Sequence, residues 1–220
     1  MALAFDAASS SSTAGATSLT FPHTCTGSNL VLVVGVTLNG VATDVITGIT
    51  YNGVALTKGI SKGAPTGTEN NWAELWHLKA PATGTHDIVI SASSSVAMVG
   101  LGVSYTGADQ VTQPDATSSN TAEGVTSLAT AVTTVKDNSW AIIVCTVDGG
   151  VLSASTNVTQ RQAVGAPRDA IGDSNGAITP AGSYTQTWTR STSGRMVTAQ
   201  ISIMPVQPVT TGGAFLFNFI

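Results

Sequence analysis

The sequence predicts an all-β protein, a jelly-roll-like antiparallel β-sandwich with an internal pseudo-repeat, on three observations. Helical periodicity is nearly absent, short Val-, Ile- and Thr-rich runs recur between clusters of Gly, Asn, Asp and Pro, and the chain matches itself when slid along its own length. Short alternating runs separated by turn residues mark a sandwich or barrel, because each segment buries one face and must then reverse. At 220 residues the chain is long enough to bury a substantial core as one unit.

The clearest strands fall at 29–38, 46–57, 72–78, 86–91, 97–105, 139–147, 184–189 and 196–204, out of about ten to thirteen in all. Asn52-Gly53, between Ile49-Thr50-Tyr51 and Val54-Ala55-Leu56, is a type I′ hairpin signal, since both residues tolerate the left-handed backbone that matches strand twist. Three stretches read as loops: the Ser-rich 7–16, the 107–124 segment with Pro114, and the Gly/Ala/Asp-rich 164–182. The middle one reads as a surface crossover between half-sandwiches.

The repeat is found by self-comparison. Thr17-Ser18-Leu19 matches Thr126-Ser127-Leu128 at a shift of 109 (126 − 17), and the same shift pairs Asn29 with Asn138, Val33 with Ile142 and Thr37 with Thr146. Further along, a shift of 98 pairs Met98 with Met196, Val103 with Ile201 and Ser104 with Ser202. Residues 1–207 therefore read as one sandwich with halves at about 17–107 and 126–204, followed by a tail at 208–220. Because side chains alternate along a strand, Val99, Leu101, Val103 and Tyr105 correspond to Val197, Ala199, Ile201 and Ile203 as core faces. The opposite faces, Gly100-Gly102-Ser104 and Thr198-Gln200-Ser202, are expected to look outward or onto a neighbouring subunit.

Charged residues are 9% of the chain and the net charge is −4, against about 25% charged in ordinary soluble domains. No basic stripe is available for phosphates, so nucleic acid is not an expected partner. The longest apolar runs fall well short of the roughly 20 residues that span a bilayer, so no membrane partner is expected. The first residues, Met1-Ala2-Leu3-Ala4-Phe5-Asp6, lack the regions of a signal peptide. Cys25 and Cys145 lie in strand-like segments of different halves, either bonded to each other or as two buried thiols.

Nothing in the sequence reads as catalytic, and no cofactor or metal is expected. Ser104 sits in an alternating strand without the strand-turn-helix setting of a nucleophile elbow. His23, His77 and His86 are isolated, lacking the close partner a zinc site needs. Asp148, Asp169 and Asp173 could supply calcium ligands from loops, although Asp148-Gly149 also reads as a plain turn.

Two elements stand out for binding. Trp72, Glu74 and Trp76 alternate on one face, a candidate platform on which a sugar ring would stack; the other reading is that at least one of the two tryptophans packs between the sheets. Phe215, Phe217 and Phe219, with Leu216 and Ile220, form an apolar tail, and exposing its Phe face would forgo roughly 1.5–3 kcal/mol per ring. The tail is expected either to close the protein's own sheet or to cross to a neighbouring subunit by β-augmentation.

The Thr/Ser/Ala/Gly-rich β composition, the segments Ile49-Thr50-Tyr51-Asn52-Gly53-Val54-Ala55-Leu56-Thr57 and Glu74-Leu75-Trp76-His77-Leu78, and the Phe-rich end resemble tailed-bacteriophage virion proteins. The likeness is chiefly to capsid decoration (cement) and related head-tail accessory proteins. The resemblance implies a non-enzymatic homo-oligomer that binds the major capsid protein or another virion protein and stabilises the shell, located in the virion after assembly in the host cytoplasm. The competing expectation is a carbohydrate-binding module of a virion appendage or secreted protein, with Trp72, Glu74 and Trp76 as its contact patch.

Overall fold

The computed structural model describes residues 1–64, 70–165 and 168–207. The described residues form thirteen strands: β1 (Ala4–Cys25), β2 (Val31–Asn39), β3 (Ile46–Tyr51), β4 (Val54–Ala55), β5 (Thr57–Gly63), β6 (Asn71–Lys79), β7 (Gly84–Thr106), β8 (Ala116–Thr133), β9 (Trp140–Val147), β10 (Leu152–Ala154), β11 (Thr159–Val164), β12 (Asp169–Asp173) and β13 (Ser183–Ile203). All pairings are antiparallel, in two sheets. The first sheet runs β4-β3-β7-β2-β6-β5 with β1 on β7, and the second β10-β13-β9-β12-β11 with β8 on β13.

Strand order and register repeat between the halves. Replacing β3, β7, β2, β6, β5 and β1 by β10, β13, β9, β12, β11 and β8 converts one sheet into the other. The pair Val33↔Val103 becomes Ile142↔Ile201 under the two shifts, Val31↔Tyr105 becomes Trp140↔Ile203, and Leu19↔Ile90 becomes Leu128↔Trp188. The turns follow suit, with Asn29 at φ 51° and Asn138 at 65°. Asp6 accepts from the Thr26 amide at 2.9 Å and the Ser104 hydroxyl at 2.7 Å, and Asp115 accepts from the Val135 amide at 2.8 Å and the Ser202 hydroxyl at 3.2 Å.

The sheets meet through the faces that carry the odd-numbered residues of β2, β6, β7, β12 and β13 and the even-numbered residues of β9. Val31, Val33, Leu75, Leu101 and Val103 of the first half form one cluster with Ile142, Val144, Ile171, Ala199 and Ile201 of the second. β5 packs across onto β13 and β8, while its counterpart β11 packs onto β7 and β1. Equivalent elements thus exchange partners, the mark of a pseudo-twofold axis between the sheets. At the centre Gly35 faces Val144, its own counterpart: a Cβ on Gly35 would lie 3.1 Å from a Val144 methyl and 3.2 Å from Ile171. A residue on such an axis meets its own copy, so one of the two must be small.

Three sequence expectations are corrected. The stretch 7–16 is not a loop but lies within β1, residues 116–124 of the expected 107–124 loop lie within β8, and 169–173 of the expected 164–182 loop is β12. An edge strand needs only backbone partners, and these Ser/Thr/Ala-rich segments pair with β7 and β13 without the apolar alternation that announces a strand. The separate strands expected at 86–91 and 97–105 are one strand, β7, bent at Ser93-Ser94-Ser95. A Cβ on Gly100 would meet Phe21 at 2.5 Å and Ile90 at 2.8 Å, and one on Gly102 would meet Ile88 at 2.8 Å. Straight strands would hold Gly100 and Ile90 about 33 Å apart, so β7 folds back over itself.

β13 bends at the equivalent Ser191-Thr192-Ser193, where Gln186 and Gln200 bond at 2.8 Å. Each half is therefore two layers. The faces of Gly100-Gly102-Ser104 and Thr198-Gln200-Ser202, expected to look outward or onto a neighbour, are buried between the layers of their own half. In the first half the space is filled by Phe21, Ile88 and Ile90 over glycines. In the second it is filled by Trp188 and paired polar groups, including Thr130 and Thr198 at 2.6 Å.

Candidate functional site

Glu74 and Trp76 project from β6 into the inner core of the first half, where Trp76 packs with Leu32, Val34 and Met98 and is only 6% exposed. Trp72 is half-buried, its indole bonded to the Val41 carbonyl at 3.0 Å and its ring laid against Gly63. The expected sugar-stacking platform of Trp72, Glu74 and Trp76 is corrected accordingly: these side chains lie on the covered face of β6. Trp76→Ala is expected to destabilise the fold by about 3–5 kcal/mol, seen as a lower thermal midpoint. An unchanged midpoint would return Trp76 to the surface.

Around Glu74 the fold brings together residues far apart in sequence. Its carboxylate accepts from the Trp76 indole at 2.7 Å and from Ser61 at 3.3 Å, and pairs with Lys58 at 3.3 Å. Lys58 also pairs with Asp44 at 2.5 Å. Burial, then the nearby Asp44, pushes the Glu74 carboxyl up to about 7 from 4.5, and Trp76 and Lys58 only partly offset it. Register places Ala170 where the second half would have this glutamate, so the cluster belongs to one half alone.

A second constellation, invisible in the spacing of single histidines, joins Ser9, His23, Ser104 and Asp6. The Ser9 hydroxyl lies 2.8 Å from His23 Nδ1, His23 Nε2 lies 3.1 Å from Ser104, and Ser104 donates to Asp6 at 2.7 Å. The order resembles a nucleophile, base and orienting relay. However, His23 is 2% exposed and burial drives its pKa down to about 4, leaving a weak base at neutral pH. In the second half Val132 replaces His23 while the Asp115–Ser202 bond remains. The shared element is thus the Asp–Ser tie, and His23 is an addition that fills the layer above Gly102, its Nδ1 only 3.3 Å from where a Cβ on that glycine would stand.

Asp148, Asp169 and Asp173 serve separate ends. Asp148 holds Arg190 at 2.5 Å; Asp173 holds Arg161 at 2.7 Å and Tyr105 at 2.8 Å; Asp169 is buried and its carboxyl is pushed up by that burial. Among the described residues no three of His, Cys, Asp and Glu converge on a metal position. Cys25 and Cys145 are free, buried thiols, each raised by burial.

A cavity of about 680 Å³ is lined by Leu3, Trp140, Ala177, Pro205, Val206 and Gln207 among others. A second, polar hollow of about 350 Å³ is lined by Asn39, Gly40, Asn71, Asp148 and Arg168. The tail residues Phe215, Leu216, Phe217, Phe219 and Ile220 lie outside the described residues. No protein-family model, curated protein or solved structure matches the chain.

Proposed function

We propose that the chain is a non-catalytic structural protein of a phage virion, a decoration or cement component that binds the major capsid protein and stabilises the shell. One observation supports this reading above the others: the duplication gives a single body two equivalent, charge-poor outer faces on opposite sides. On the first half Ser18, Thr20, Pro22 and Thr24 of β1 lie beside Ser91, Val89, Asp87 and Thr85 of β7, with Thr24 and Thr85 bonded at 2.7 Å. On the second, Ser127, Ala129, Ala131 and Thr133 of β8 lie beside Thr189, Thr187, Thr185 and Ser183 of β13.

Such faces suit close protein packing, since hydroxyls and methyls dock without the desolvation cost of charge. Two like faces let one molecule bridge two identical partners, and linked weak contacts multiply through effective concentration. The charged residues support the same view, because Arg161, Arg190 and Arg195 are spent on internal partners.

The test is co-migration of the chain with purified particles through a density gradient. Charging both faces, with Thr20→Lys and Thr187→Lys together, is expected to abolish co-migration while circular dichroism stays unchanged. Undiminished co-migration of the double variant would remove these faces from the proposal.

A further inference from the structure

Asp44, Lys58, Ser61 and Glu74 reach one point from a loop and two strands, and the second half has no such cluster. Gln160 stands there at the register of Lys58, and Ala170 at that of Glu74, so the duplicated fold forms without it. We propose that the Lys58 amine and the Asp44 carboxyl condense to an amide, a covalent bolt between β5 and the loop before β3, with Glu74 as the acid-base group that promotes it. Such a bond is independent of the virion reading.

Each group stands where the reaction needs it. Lys58 Nζ lies 2.5 Å from Asp44 Oδ2, so the nitrogen and the carboxyl it attacks are held in contact. The Ile46 amide donates to Asp44 Oδ1 at 3.0 Å, where negative charge gathers during attack. Glu74 Oε2 lies 3.3 Å from Lys58 Nζ. The Ser61 hydroxyl lies 3.3 Å from both Asp44 Oδ2 and Glu74 Oε1, a bridge for one proton. Burial, then the nearby Asp44, lifts the Glu74 carboxyl to about 7, so near neutral pH it can both give and take a proton.

The step closes with no other reactant. The Lys58 ammonium passes one proton to Asp44 Oδ2, and the freed amine attacks the carboxyl carbon, forming the N–C bond as the carbonyl pair moves onto Oδ1. Protonated Glu74 sends its proton through Ser61 to Oδ2, the C–Oδ2 bond breaks, and Oδ2 leaves as water while the Oδ1 pair restores the carbonyl. Nζ then gives a proton to Glu74 Oε2, which regenerates the acid. Condensation in water is uphill between free molecules, but groups held in contact reach effective concentrations on the order of 10⁵ M or more, far above that of water. The released water has a way out, since the Lys58 and Asp44 side chains are 32% and 26% exposed. Burial pulls the Lys58 ammonium down, but Asp44 and Glu74 outweigh it and hold it above its usual range, so free amine is scarce and the bond forms slowly. Its formation removes the Asp44 charge, so the Glu74 carboxyl at about 7 belongs to the protein before the bond forms.

The test is the mass of the full chain, held folded at neutral pH for days and then denatured. The expected mass is one water below that of the sequence. After chymotryptic cleavage at Tyr51, inside the loop the bond closes, the peptides carrying Asp44 and Lys58 are expected to stay joined. Lys58→Arg and Asp44→Ala should each keep the full mass. Glu74→Gln, with both partners present and circular dichroism unchanged, should lose water about 100-fold more slowly. Full mass in the parent, a water loss mapped to other residues, or an unchanged rate in Glu74→Gln would overturn the proposal.

Discussion

Gly35→Val is expected to be the most disruptive conservative change in the protein. Gly35 lies on the pseudo-twofold axis against Val144, where even a bare Cβ would sit 3.1–3.3 Å from Val144 and Ile171. The two further methyls of valine have nowhere to go without parting the sheets. Overpacking a core costs about 1–3 kcal/mol, and because both sheets meet here the upper part of that range is expected. Val144→Gly should cost about 2–4 kcal/mol through the cavity it leaves and the added chain freedom. If the two positions are truly copies facing each other, exchanging them restores the fit from the other side. The double variant Gly35→Val/Val144→Gly should then recover much of the summed loss, with a coupling of about 1–3 kcal/mol in urea denaturation. Additive losses would mean that the residues do not share one space.

The second large effect is a pair of opposed titrations. Below pH 4.5 Glu74 is protonated in both folded and unfolded chains. Between 4.5 and about 7 the unfolded chain releases a proton that the folded protein keeps, so stability falls as pH rises. His23 acts the other way: above pH 6.5 it is neutral in both states, and as pH drops towards 4 the unfolded chain takes up a proton that the folded protein refuses, so stability falls on acidification. Each amounts to on the order of 3 kcal/mol, and they nearly cancel between pH 4.5 and 6.5. Glu74→Gln is therefore expected to gain stability relative to the parent as pH rises from 4.5 to 7, and to expose an acid-side loss. His23→Gln should show the reverse. His77 and Asp169 contribute equally to parent and variant and drop out of the difference. A pH-independent difference for Glu74→Gln would place its carboxylate in water.

Much of the architecture was legible because buried strands advertise themselves. β2 and β9 are continuous apolar runs, the odd faces of β7 and β13 alternate cleanly, and the register of Val33 with Val103 reappears at Ile142 with Ile201. Asn52 at φ 49° and Gly53 at 76° form the expected turn. What stayed hidden were features with no apolar signal. β1 and β8 are held by backbone bonds to a neighbour, so their Ser and Thr read as loop. The bends at Ser93-Ser94-Ser95 and Ser191-Thr192-Ser193 read as gaps between strands, although they fold each strand back and bury Gly102 and Gln200. The folded-back part of β7 covers the face of β6 that carries Glu74 and Trp76, while the pairing of β5 with β6 sets Lys58 opposite Trp76 and Ser61 opposite Glu74, and Asp44 joins them through Lys58 and Ser61. His23 was likewise separated from Ser104 by 81 residues.

The reading of this chain as a shell-binding body with two like faces is tested most directly by cryo-electron microscopy of particles assembled with and without it. The expected result is density for the whole two-sheet body at regularly repeated lattice positions, with the β1/β7 and β8/β13 faces against neighbouring capsid subunits. Particles of identical structure in both preparations, with the chain left in the soluble fraction, would contradict it.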